Sequence, residues 1–191
     1  PRPLPSNTYT VACPAGGEAV PGLPLMVSMR IPDCRSGSLL WADLRSPIVE
    51  YASFGKDRYP ARIGVAAFWN ELDRQVTAKG PPIIYIHGYR NSVAAANRRA
   101  LAVQVAGGGR PIVSIIWPSY GQTTKYFWDE ANNEWAQDQV RDIITLIARK
   151  HSGTAIVAHS MGNRILVDAL ASAPDAQTLF AQVVMSSPDV D

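Results

Sequence analysis

The chain has 191 residues, 47% of them hydrophobic and 18% charged, with a net charge of +2. That balance fits a globular protein with a sizeable core and excludes a disordered chain. Basic residues are scattered, so a nucleic-acid partner is not indicated, and no apolar run approaches the ~18–20 residues of a membrane span.

The N-terminal third is the hardest part to read. "TYTVAC" (residues 8–13) and "LPLMVSMRI" (23–31) have strand character, and Pro- and Gly-rich stretches surround them. Short strands and loops at a sheet edge are expected over residues 1–60. Cys13 and Cys34 either form one disulfide in an export compartment or stay as two thiols. Their spacing fits no zinc pattern, and the chain has only three histidines, so no metal and no cofactor is expected. The start at Pro1 reads as a processed or trimmed terminus. The compartment stays open: a soluble protein, cytoplasmic or exported.

"IGVAAFWNELDRQVTAKG" (63–80) predicts a helix, with Val65, Phe68, Trp69, Leu72 and Val76 on one face and Gly80 as its stop. From Pro81 the order becomes regular. "IIYI" (83–86) is a strand that runs into "HGYRNS", and Ser92 can cap the helix "VAAANRRALAVQVA", which "GGG" ends. "PIVSIIW" (111–117) is the next strand. After "PSYGQTTKYF" a long helix runs from about Trp128 to Lys150, with Ala131, Trp135, Val140, Ile143, Ile144 and Ile147 as its apolar stripe. "TAIVAH" (154–159) is a strand, "MGNRILVDALASA" (161–173) a helix and "AQVVMSS" (181–187) a last strand.

Strands that read as buried, alternating with helices, call for a doubly wound, mostly parallel α/β sheet. One domain over 1–191 is expected, with 1–80 as N-terminal strands and helix and 81–191 as the core. Ligands of such folds sit at the carboxyl ends of the strands, where this chain carries "HGYRNS", "WPSYG" and "HSMG".

Ser160 lies in Ala158-His159-Ser160-Met161-Gly162, between a strand and a helix. A nucleophile held in a strained strand-to-helix turn needs small residues two before and two after it, and Ala158 and Gly162 meet that need. The helix that follows points its N-terminal dipole at the oxygen, and the Met161 N–H becomes an oxyanion donor. The second donor is expected from Tyr89 or Arg90, because His87-Gly88 lets the loop turn sharply. His87 is read as a pocket residue that holds loop geometry, rather than as a base. His159 reads as a packed core residue and His151 as a helix-end residue. Trp117, Ser119 and Tyr120 are expected to wall the pocket, although a purely structural loop fits "WPSYG" equally well. Asp129, near a helix start, reads as a helix-dipole partner.

Together, "HGYRNS", "SIIWPSYG" with "KYFWDEANNEWA", "IVAHSMGNRILVDAL" and "VVMSSPDVD" resemble a bacterial alpha/beta-hydrolase family long catalogued as a domain of unknown function (number 900). The resemblance covers about residues 82–191. It implies an alpha/beta-hydrolase fold and an esterase- or lipase-like serine hydrolase acting on a small acyl-ester or lipid-like substrate. Ser160 matches the family's nucleophile, and Arg90 stands where the family usually has Asn. Members typically continue past "PDVD" with two further strands, followed by the triad acid and the histidine. No histidine follows His159 here. The chain is therefore read as truncated after the strand ending near Ser187, and as inactive by itself. The alternatives are a non-catalytic pseudoenzyme or binding module, and an acyltransferase on the same site. Asp189 and Asp191 are the acids at a strand end, either able to orient a histidine supplied from elsewhere or simply ending the strand.

Overall fold

The computed structural model describes residues 18–33, 40–54, 60–120, 123–173 and 175–190. The chain folds as β1 (Leu25–Asp33), β2 (Leu40–Phe54), β3 (Pro60–Ile63), α1 (Val65–Lys79), β4 (Ile83–Ile86), α2 (Val93–Ala106), β5 (Ile112–Ile116), α3 (Tyr126–Lys150), β6 (Ala155–His159), α4 (Gly162–Ser172), α5 (Ala176–Leu179) and β7 (Gln182–Ser186). One sheet holds the seven described strands in the order β3-β2-β1-β5-β4-β6-β7. The β1–β2 and β2–β3 pairs are antiparallel. Every other pair is parallel. The expected mostly parallel α/β architecture is the one observed.

Alternation along the strands divides the core in two. Leu25, Val27, Ile84, Ile86, Val113, Ile115, Ile156 and Ala158 share one apolar cluster with residues of α1, α3 and α4. On the other face, Ile83, Tyr85, Ile112 and Ala155 pack with Ala100 of α2. Central strands buried on both faces explain why "IIYI" and "IVSII" are buried at every position and show no polar alternation. From β4 the chain crosses by α2 to β5 on one side, then by α3 to β6 on the other. The winding direction therefore reverses at β4, and the crevice at its carboxyl end is the place where such sheets hold ligands.

The boundaries from Pro81 onward follow the sequence closely. Ser92 Oγ accepts the Ala95 N–H at 3.2 Å and caps α2. Gly80, with φ of +86°, ends α1. Glu71 of α1 anchors the entry to β1. Its Oε1 accepts the Gly22 N–H at 2.7 Å and the Gln75 amide at 2.8 Å. Its hydrogen bond to Arg74, foremost, holds the carboxyl down to about 2.

The N-terminal third follows expectation at β1, which matches the strand expected over residues 23–31 near a sheet edge, and departs from it after that. Residues 40–54 form one 15-residue strand. The irregular composition that hid it has a structural counterpart. Ser28 pairs with Glu50, but Arg30 pairs with Arg45, so β2 bulges across Ser46-Pro47-Ile48-Val49. Pro47 sits in that bulge, where its missing N–H costs no ladder bond. The strand expected over residues 8–13, and both cysteines, lie outside the described residues.

The stripe expected on α3 holds only in part. Val140, Ile143, Ile144 and Ile147 are buried, but Ala131 is exposed, and the N-terminal half buries Asp129, Asn132 and Asn133 instead. This half crosses the loop ends of the sheet, where unpaired backbone groups need polar partners. Asn132 Nδ2 donates to Pro118 O at 2.6 Å, and Asn133 Nδ2 donates to Met161 O at 3.0 Å.

Candidate active site

Ser160 is partly exposed and follows β6 directly, with φ of +51°. A left-handed backbone at a non-glycine residue costs about 1–2 kcal/mol and persists where its surroundings enforce it. Here both backbone groups are held. The Ser160 N–H donates to Ser186 O at 2.9 Å. Ser160 O accepts the Asn163 N–H at 2.9 Å, Asn163 Nδ2 at 2.8 Å and the Asp189 N–H at 3.4 Å. The end of β7 and the first turn of α4 thus lock the elbow.

Two glycines let the β4 loop close on it. A Cβ on Gly88 would lie 2.6 Å from Ser160 Cβ and 2.7 Å from His159 O. A Cβ on Gly162 would lie 2.6 Å from His87 O and 2.9 Å from Ile86 O. Ala158, two residues before Ser160, is fully buried. The small-x-Ser-x-small spacing thus answers to backbones in contact. Among the described hydrogen bonds, none uses the Met161 N–H, which lies at the start of α4.

The β4 loop itself is held by two buried charges. Arg30 of β1, 1% exposed, donates from Nε to Trp117 O at 3.1 Å and from Nη2 to Asn91 O at 2.9 Å. Asn91 in turn donates to Gly88 O and Tyr89 O, each at 2.9 Å. Asp129, fully buried, accepts the Arg90 N–H at 3.1 Å, Ser119 Oγ at 2.6 Å and the Tyr120 N–H at 2.5 Å. It is a tie between two loops rather than a helix-dipole partner.

Several expected roles change accordingly. The Arg90 N–H is committed to Asp129, which leaves Tyr89 as the loop's candidate oxyanion donor. Ser119 is fully buried between Asp129 and the Asn91 N–H, so it does not wall a pocket. Trp117 is fully buried and stacks on His87 with centroids 4.9 Å apart; its Nε1 donates to His87 O at 2.7 Å. His87 is fully buried too, so neither ring lines a pocket. Tyr120 alone of these is partly exposed.

No hydrogen bond joins Ser160 Oγ to any of the three histidines among the described residues. His87 Nδ1 lies 2.8 Å from Gly88 O and Nε2 lies 3.2 Å from Trp117 O. Burial, foremost, and the nearby Arg30 push its pKa down to about 3 against those carbonyls. His151 follows the C-terminus of α3; its Nε2 is 3.2 Å from Asp73 Oδ1, out of line for a hydrogen bond. His159 is partly buried with an unpartnered Nδ1, and burial lowers its pKa. Asp189 does reach the elbow, through its N–H. Its carboxylate accepts Tyr126 Oη at 3.0 Å and stands 3.5 Å from Arg164 Nη2. Asp191 lies outside the described residues. Among the described residues, no group of three or more His, Cys, Asp or Glu is arranged to hold a metal ion.

The family model for "Alpha/beta hydrolase of unknown function (DUF900)" matches residues 66–191. The chain belongs to that family. The DUF900 match starts within α1, earlier than the resemblance at about residue 82 indicates. No curated protein and no solved structure matches the chain. The hydrolase-like fold is thereby established for this DUF900 chain.

His87 makes that site acid-sensitive. Above about pH 6.5 the ring is neutral whether the chain is folded or unfolded. Below it only the unfolded chain takes the proton readily, so stability is lost as pH falls from 6.5 toward about 3. His87 alone is expected to remove about 2–3 kcal/mol between pH 7 and about pH 4.5, at about 1.4 kcal/mol per pH unit. His151 and His159, also lowered by burial, steepen the slope. Urea unfolding of His87→Gln across this range should show a slope shallower by one proton. Identical slopes would refute the assignment.

Proposed function

We propose that Ser160 is the nucleophile of a carboxylic-ester hydrolase. The observation that carries this reading is a left-handed serine locked between β6 and α4 in contact with the Gly88 loop. In this reading Ser160 Oγ attacks the ester carbonyl, and the N–H groups of Met161 and Tyr89 receive the oxyanion. Collapse expels the alcohol, and water then releases the acyl group from the serine. Acyl transfer differs only in using an alcohol in place of that water.

In this reading the base is none of the three histidines. His87 is buried against two carbonyls, His151 lies beyond the opposite end of β6, and His159 makes no bond to Ser160. We therefore expect these 191 residues alone to hydrolyse short p-nitrophenyl esters negligibly, and Ser160→Ala to change that rate little. Asp189 is placed to orient an imidazole supplied from elsewhere, once freed from Tyr126 and Arg164. Ser160 Oγ's lack of a hydrogen bond to any described histidine favours a second reading, a binding module that keeps the elbow without turnover.

A fluorophosphonate probe with added imidazole separates the two. Imidazole-accelerated labelling that maps to Ser160 and vanishes in Ser160→Ala supports the hydrolase. An unlabelled Ser160 with imidazole present favours the binding module. Rapid Ser160-dependent turnover without imidazole would put the base back among the three histidines.

A further inference from the structure

The rim beside Ser160 carries an aromatic patch that the proposed chemistry does not use. Phe127 is 80% exposed and Trp128 57% exposed, side by side in the first turn of α3. Lys125 Nζ stands 5.5 Å from the ring centroids of both Tyr120 and Trp128. The patch adjoins the elbow through Tyr126. Its ring meets Tyr89 edge-on at 5.3 Å and Phe127 at 6.1 Å, and its hydroxyl bonds Asp189, whose N–H bonds Ser160 O.

Charge is distributed unevenly around this rim. Asp129 is buried beneath three donors. Glu130 pairs with Arg164 at 2.7 Å, and Asp189 also faces that arginine. Among the described residues no carboxylate pairs with Lys125, whose ammonium is held between two rings instead. An exposed apolar ring at Phe127, rings with polar tips at Trp128 and Tyr120, and an ammonium with no carboxylate partner among the described residues match the boundary between acyl chains and anionic headgroups. No described helix is long and apolar enough to cross a membrane, so contact through this patch would be peripheral.

We infer that Lys125, Phe127 and Trp128 dock this face on an anionic phospholipid surface, with Ser160 at its edge. The inference rests on the ester-hydrolase reading and narrows its substrate to acyl esters presented by a lipid interface. An aromatic pair lying shallowly among headgroups holds the protein by buried apolar area. The lysine adds an electrostatic share that salt weakens.

The test is cosedimentation of the full chain with phosphatidylcholine vesicles, with and without phosphatidylglycerol. Binding should need phosphatidylglycerol and weaken with salt. Lys125→Gln should cost about fivefold in affinity, and the pair Phe127→Ser with Trp128→Ser at least about thirtyfold. Trp128 emission should shift blue on vesicles, and Trp128→Phe should lose that shift while still binding. The exposed apolar strand β7 is the rival surface, so Val184→Lys is the control and should leave binding intact. Unchanged binding in the double aromatic variant, or loss of binding in Val184→Lys alone, overturns the inference. So does self-association that the aromatic variant abolishes in a chain that ignores vesicles, which would make the patch a protein interface. Ser160→Ala should bind vesicles like the parent chain. Vesicle binding therefore reads the surface, and probe labelling reads the nucleophile, each without the other.

Discussion

Gly162→Ala is expected to destabilise the protein by about 2–3 kcal/mol, although intrinsic helix propensity taken alone favours alanine by about 1 kcal/mol. Gly162 opens α4. The added methyl would sit 2.6 Å from His87 O and 2.9 Å from Ile86 O, both backbone atoms at the end of a central strand. Neither can withdraw without shifting β4 against its neighbours. For a chain of this size the loss amounts to a melting temperature lower by about 5–10 °C. Gly64→Ala, where an added Cβ meets nothing within 4 Å, is the matched control. A Gly162→Ala protein as stable as the parent would mean that the elbow and the β4 loop are not in this contact. The same substitution should slow imidazole-promoted labelling of Ser160 in the proposed hydrolase, because the elbow and the β4 loop part together.

Asp129→Asn should be nearly as damaging, at about 2–4 kcal/mol, with almost no change in shape. Every donor around the carboxylate is fixed. Oδ2 accepts the Arg90 N–H and Ser119 Oγ, and Oδ1 accepts the Tyr120 N–H. An amide has one acceptor oxygen, so either orientation turns an NH2 group toward a donor. Ser119 has little freedom to compensate, because its oxygen also accepts the Asn91 N–H at 3.1 Å. Hydrogen exchange at the Arg90 and Tyr120 amides should accelerate together, since one carboxylate joins the two loops. Faster exchange at only one of them, or an unchanged melting temperature, would show that Asp129 does not couple the loops.

The central part of the fold was legible because its signals are local. "IIYI", "IVSII" and "AIVAH" are apolar runs of strand length, and Ser92 and Gly80 mark helix ends by their own chemistry. The elbow was legible for a related reason. The steric demand on Ala158 and Gly162 falls at fixed spacing around Ser160, so a five-residue window records it. β2 was not legible, because its pairing with β1 tolerates a bulge that places Arg45, Ser46 and Pro47 within a strand.

What the chain's own order determined is therefore the α/β class and the strand-to-helix turn at Ser160. What only tertiary structure decided is how each polar group near that turn is used. The Arg90 N–H could be assigned to Asp129 only once α3 had carried that side chain beneath the loop. His87 and Trp117 sit in motif-rich strand ends, yet their stacking under the carbonyl-bound Arg30 makes them core. A sequence window records the steric limits a turn puts on its nearest residues. It does not record which distant carboxylate or guanidinium folding brings to the same backbone, because that depends on helix and strand crossings tens of residues away.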